Sequence, residues 1–271
     1  MSTARWWRVG ALLVVVATLA ACVARGPTTG LPRGDTRDRI TASDEPEATR
    51  RARVRLELAS AYYTRGQYTT ALDEVKQAIA SDPTMAAAFN LRGLIYTNLG
   101  DSGMAEESFR RALSIDRLDA DVMQNYGWFL CQQRRFADAE ALFKQALDTP
   151  QYQDSPRTLL TKGICQARAG RPADAEATLQ RAYELDPSSP AIGVNLAEVL
   201  YRRGGYERAQ FIMRRVNAQT DVVNAQTLWL AARIEHKLGN APASRSFGDQ
   251  LRARFPQSPE AAALERRQFD E

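Results

Sequence analysis

Histidine is nearly absent from this chain: His236 stands alone among 271 residues. One imidazole cannot supply the several nitrogen ligands of a typical zinc site. No glycine-rich phosphate loop, nucleophile elbow or paired-carboxylate signature occurs either. Asp and Glu are instead scattered along helical patterns at the i, i+4 spacing of solvated faces. The expectation is a non-enzymatic protein without metal or cofactor, in which His236 is an ordinary surface residue. Lysine is also scarce, confined to Lys76, Lys144, Lys162 and Lys237. The formal net charge of +4 falls to about +2 once Arg5 and Arg8 are set aside, and the remaining arginines form no patch. That balance gives no footprint for a nucleic-acid partner. Gly and Pro, at 16 and 12 residues, never gather into a low-complexity tract.

The one long apolar run is Val9–Ala21, preceded by Arg5 and Arg8 and ending in small residues. Those are the three parts of an export signal. The run falls short of the roughly 20 apolar residues that a membrane span needs. Its end, Leu19-Ala20-Ala21-Cys22, resembles the lipobox of bacterial lipoproteins. The resemblance implies that residues 1–21 are removed and that Cys22 becomes the acylated first residue. Val23 after it, rather than Asp, implies sorting to the periplasmic face of the outer membrane. Several buried acyl chains, at about 0.8 kcal/mol per CH₂, anchor such a chain stably. Residues 22–43, punctuated by Gly26-Pro27, Gly30, Pro32 and Gly34, have little to bury and are expected to form a tether. The 21 residues after Cys22 average about 25 Å end to end as a coil. Asp44, Pro46 and Glu47 then suggest a helix start, with Asp44 as cap.

Residues 44–271 are expected to form one all-α domain built on an internal repeat. In the unit that begins at Ala86, the eighth residue is small in every copy: Ala59, Gly93, Gly127, Gly163, Ala197 and Ala231. The twentieth is alanine throughout: Ala71, Ala105, Ala139, Ala175, Ala209 and Ala243. The twenty-fourth is apolar: Val75, Phe109, Phe143, Leu179, Met213 and Phe247. The twenty-seventh holds alanine for four copies, then drifts to Val216 and Gln250. Small residues belong where two helices approach closely, and aromatics fill the space beside them. The interval is 34 residues except for 36 before copy four, where Asp148–Pro156 carries the extra length.

This pattern resembles the tetratricopeptide repeat, over about residues 52–256. The resemblance implies a right-handed α-solenoid of six helix pairs, with a charged capping helix at 258–269 to give a polar outer end. It also implies that the first helix of each pair lines a concave groove. Carried onto this sequence, the groove candidates are Leu56, Tyr63, Asn90, Leu94, Asn98, Gln124, Trp128, Leu160 and Ile164. Ser60, Thr97, Gln132 and Ala167 join them in the front copies, and Glu198, Tyr201, Arg202, Leu228, Glu235 and His236 follow in copies five and six. The front half is apolar with amides and the back half charged. An exposed apolar stripe marks a partner surface. Trp128 has two readings, groove or core, because Phe129 and Leu130 beside it cannot all face outward. The amides have two as well: bonds to a bound peptide's backbone, or to water. No groove position carries lysine, which argues against the carboxylate clamp of chaperone-type repeats.

Cys131 and Cys165 fall on the first helices of copies three and four. Neighbouring first helices pack side by side, and an exported protein meets an oxidising compartment. A disulfide between them is one reading. Two buried thiols is the other, since the two positions differ within the repeat.

Asn125-Tyr126-Gly127-Trp128-Phe129-Leu130-Cys131, followed by Gly163-Ile164-Cys165, resembles the type IV pilus biogenesis and stability lipoproteins, the PilF/PilW family of tetratricopeptide-repeat pilotins. The resemblance implies a protein partner, the pilus secretin subunit, bound by the groove of the front copies and delivered to the outer membrane by the lipid on Cys22. It further implies a monomer outside the partner complex. Two other roles for a repeat lipoprotein remain open here: an accessory of the outer-membrane protein insertion machinery, and an adaptor for peptidoglycan enzymes.

Overall fold

The computed structural model describes residues 45–269. The expected export signal, Cys22, the expected tether and Asp44 lie outside the described residues. Among the described residues thirteen helices follow one another: α1 Glu47–Thr64, α2 Tyr68–Ser81, α3 Ala86–Leu99, α4 Ser102–Ile115, α5 Ala120–Gln132, α6 Phe136–Asp148, α7 Ser155–Arg168, α8 Pro172–Leu185, α9 Pro190–Arg202, α10 Tyr206–Asn217, α11 Ala225–Lys237, α12 Ala241–Arg254 and α13 Pro259–Glu265. No strand occurs among the described residues, and no helix among them is long and apolar enough to cross a membrane.

Each odd-numbered helix from α1 to α11 pairs with the even-numbered helix after it. The odd-numbered helices also touch one another in sequence, α1 to α3 through to α9 to α11, whereas the even-numbered ones do not. The odd-numbered helices therefore form the inner layer of a curved stack, and the even-numbered ones are splayed over its outer side.

The close approach inside each pair rests on the small residues. A Cβ added to Gly93 would lie 2.7 Å from the ring of Phe109, and one added to Gly127 would lie 2.8 Å from that of Phe143. Both rings are fully buried, each contributing about 1.5–3 kcal/mol of apolar burial. Where alanine replaces glycine, at Ala59, the opposing residue is the smaller Val75. Between repeats, Asp82, Asp116 and Asp186 end α2, α4 and α8 by accepting a hydrogen bond from the backbone N–H two residues on. Asp101, Asp119, Ser189, Asn224, Asn240 and Ser258 cap the following helices through their side chains.

Three details correct the sequence expectations. The cap of α1 is Pro46, without a side-chain hydrogen bond. The capping helix is shorter than 258–269: α13 ends at Glu265, and Arg267 at φ 55° turns the chain back. The sixth copy is also out of phase by one residue. The loop 218–224 carries one residue more than the 34-residue spacing provides for, so the packing positions are Ala232, Ser244, Gly248 and Leu251 rather than Ala231, Ala243, Phe247 and Gln250. Leu251 is fully buried, and Ser244 Oγ donates to the Ala232 carbonyl at 3.0 Å. The space left by Gly248 is filled by Leu264 of α13.

Candidate partner-binding groove

The inner face of α1, α3, α5 and α7 gathers most of the sequence-derived groove residues, but it uses their polar groups internally. Tyr63 and Asn98 join α1 to α3: the Asn98 amide donates to the Tyr63 hydroxyl at 3.0 Å and to the Leu94 carbonyl at 2.9 Å. Burial pushes the Tyr63 phenol up, against the opposing pull of that bond. Asn125 donates to Asn90 at 3.2 Å, joining α5 to α3. Gln124 is buried at 6% exposure, donates to Thr161 at 3.3 Å and accepts from Arg157 at 2.8 Å, joining α5 to α7. Gln124 is therefore a strut within the wall and not an open groove residue. These amides serve as bridges between neighbouring helices, an outcome that neither bound peptide nor water had suggested.

The apolar candidates stay partly open. Leu56, Leu94, Trp128, Leu160 and Ile164 are all half-buried. Leu94, Trp128 and Ile164 occupy the same position of three successive inner helices. Trp128 packs at the edge of the central core cluster, and the Arg168 guanidinium lies 4.7 Å from its ring centroid. Such a cation–π contact is worth about 0.5–1 kcal/mol at an exposed site. Cys131 and Cys165 form a disulfide between α5 and α7, with Cα atoms 5.8 Å apart. This bond spans the joint where the 36-residue interval occurs.

At the far end the expected groove residues are displaced. Leu228 and Glu235 are buried at 1% and 4%, a consequence of the one-residue shift in the sixth copy. Trp229 and Arg233 take the positions expected for Leu228 and the residue four further on, Arg233 lying over the Tyr201 ring of α9, while His236 stays on this face.

A ladder of carboxylates on the outer helices was not foreseen. Glu106 of α4 accepts from Tyr126 at 2.8 Å and from Arg135 at 2.8 Å. Glu140 of α6 binds Arg171 at 2.7 Å, Gln166 at 3.0 Å and Lys162 at 3.2 Å. Glu176 of α8 binds Arg208 at 2.5 Å and also Arg203. Each carboxylate directly follows the regularly spaced alanine of its repeat (Ala105, Ala139 and Ala175) and reaches into the next repeat. Burial alone would push the Glu106 carboxyl up, but Arg135, Tyr126 and Arg110 outweigh it and hold it below the usual glutamate value. Glu140 behaves likewise, with burial outweighed by Arg171 and Lys162. Among the described residues no group of three or more His, Cys, Asp or Glu side chains is placed to hold a metal ion.

One tetratricopeptide-repeat family model matches residues 56–121 and 130–190, and a second matches 166–228. The chain is 27% identical over 248 residues to the type IV pilus assembly protein PilF of Pseudomonas aeruginosa, spanning 92% of this chain and 97% of that protein. The crystal structure of PilW, a widely conserved type IV pilus biogenesis factor, superposes with a TM-score of 0.72 at 34% identity, over 79% of this chain and 97% of PilW. The chain belongs to this family of tetratricopeptide-repeat pilus biogenesis factors. The solved structure of P. aeruginosa PilF shares the fold, with a TM-score of 0.72 over 82% of this chain and all of PilF, at 24% identity.

Proposed function

We propose that this chain is a non-enzymatic outer-membrane lipoprotein that binds unassembled subunits of the type IV pilus secretin and promotes their multimerisation in the outer membrane. The observation that carries the reading is the apolar strip of Leu94, Trp128 and Ile164, left half-open on three successive inner helices of a chain that belongs to a pilus biogenesis family. Half-exposed apolar side chains on a concave face that the fold does not fill are suited to another polypeptide. The polar neighbours Tyr63, Asn90, Asn98 and Gln124 hold the helices in register, so the apolar residues present a pre-shaped surface. Preorganisation of that kind lowers the ordering cost of binding. The lipid on Cys22 is the anchor, the tether gives the domain reach, and the protein works as a monomer outside its partner complex.

Replacing Cys22 by Ser tests the reading. The expected result is loss of SDS-resistant secretin multimers from the outer-membrane fraction, while the soluble variant accumulates normally. Normal multimers with the unacylated variant contradict it.

A further inference from the structure

Phe269 returns to the inner face of the last two repeats. Its ring stacks on His236 with centroids 4.1 Å apart and planes at 16°, and it lies 5.2 Å from the ring of Trp229. Its backbone carbonyl accepts a hydrogen bond from the Tyr201 hydroxyl and another, at 3.4 Å, from Arg233 Nε. Arg233 is itself fixed: its guanidinium lies 4.3 Å from the Tyr201 ring centroid, and it pairs with Glu198 at 3.9 Å.

Once the one-residue shift of the sixth copy is allowed for, Trp229, Arg233 and His236 match the fifth, ninth and twelfth positions of the repeat unit. Tyr201 is the twelfth position of the fifth copy. In the front copies those same positions hold groove candidates such as Leu56, Leu94 and Tyr63. The tail thus offers this face two groups that any Phe-bearing or Tyr-bearing peptide carries: an aromatic side chain in an aromatic seat, and a backbone carbonyl held by side-chain donors from two helices. It reaches that seat through Arg267, a non-glycine residue in the left-handed region at φ 55°, a conformation that works against self-occupancy. A segment from another polypeptide would not carry that turn, although it would lack the high effective concentration of the tethered tail.

We propose that the inner face of α9 and α11 is a second peptide-docking site, for an extended segment of a partner polypeptide bearing a Phe or Tyr side chain. Phe269 fills it in the unpartnered chain. The site is separate from the front strip and does not depend on the identity of the partner bound there.

The test uses the full mature chain, native and Phe269→Ala, with a fluorescein-labelled peptide of the chain's own residues 264–271, LERRQFDE. Fluorescence polarisation is expected to show saturable binding to the Phe269→Ala chain, at least tenfold tighter than to the native chain. Adding Trp229→Ala should abolish it. Adding Tyr201→Phe, which removes one donor at nearly constant volume, should weaken it severalfold. A peptide with Ala in place of Phe should not bind. Failure of the Phe269→Ala chain to bind, at native helical circular dichroism, overturns the proposal, as does binding indifferent to both Trp229 and Tyr201. A native dimer in sedimentation that Phe269→Ala dissolves would place a second copy in the seat and also overturn it.

Discussion

Gly127 and Phe143 interlock across the third helix pair: the ring occupies the volume that a Cβ on residue 127 would need, at 2.8 Å. Gly127→Ala is therefore expected to destabilise the domain by about 1–3 kcal/mol, the usual range for overpacking. Combining it with Phe143→Val, which recreates the Ala59 and Val75 pairing of the first copy, should recover part of the loss. Thermal melts followed by circular dichroism report both, and an unchanged midpoint for Gly127→Ala would refute the close-packing argument.

The disulfide between Cys131 and Cys165 joins residues 34 apart in sequence. Closing a loop of that length stabilises by about 3–4 kcal/mol in the chain-entropy model. Urea unfolding of the Cys131→Ser, Cys165→Ser double variant should show a lower midpoint, and the native chain under reductant should move toward it. Identical midpoints with and without reductant would show that the bond contributes nothing.

Glu106 and Glu140 carry an acid signature. Both carboxyls sit below the ordinary glutamate value in the folded chain, because guanidinium, ammonium and hydroxyl partners outweigh their burial. A depressed folded pKa gives stability that is complete above the unfolded value and is lost as pH falls through the folded one. The native chain should lose stability below the ordinary glutamate range, and Glu106→Gln with Glu140→Gln should flatten that part of the profile. Denaturation midpoints across pH measure it, and parallel profiles would contradict the ladder.

The helix pairs were legible because small residues and aromatics recur at fixed places, as Gly93 with Phe109 and Gly127 with Phe143. The phase of the sixth copy was not, since Ala231 and Ala232 are equally small, and so nearly are Ala243 and Ser244. Burial of Leu251 rather than Gln250 decides between the registers, and burial is a property of three dimensions. The carboxylate ladder was hidden for a related reason. Glu106 lies four residues before Arg110 and does pair with it, so a local pair masks the bonds to Tyr126 and Arg135 in the next repeat. The groove amides lie on the odd-numbered helices, but the partners they bond lie about one repeat away, as Asn98 with Tyr63. The contact of Phe269 with Tyr201, 68 residues apart, depends on a single left-handed residue that composition does not announce.

The half-open strip on α3, α5 and α7 is the surface proposed to grip an unassembled secretin subunit. Isothermal titration of the purified subunit with the mature chain tests it, alongside Leu94→Asp and Ile164→Asp. Saturable binding by the native chain is expected, with at least a tenfold loss in each variant at unchanged helical content. Equal affinity across all three, or no binding by the native chain, would contradict it.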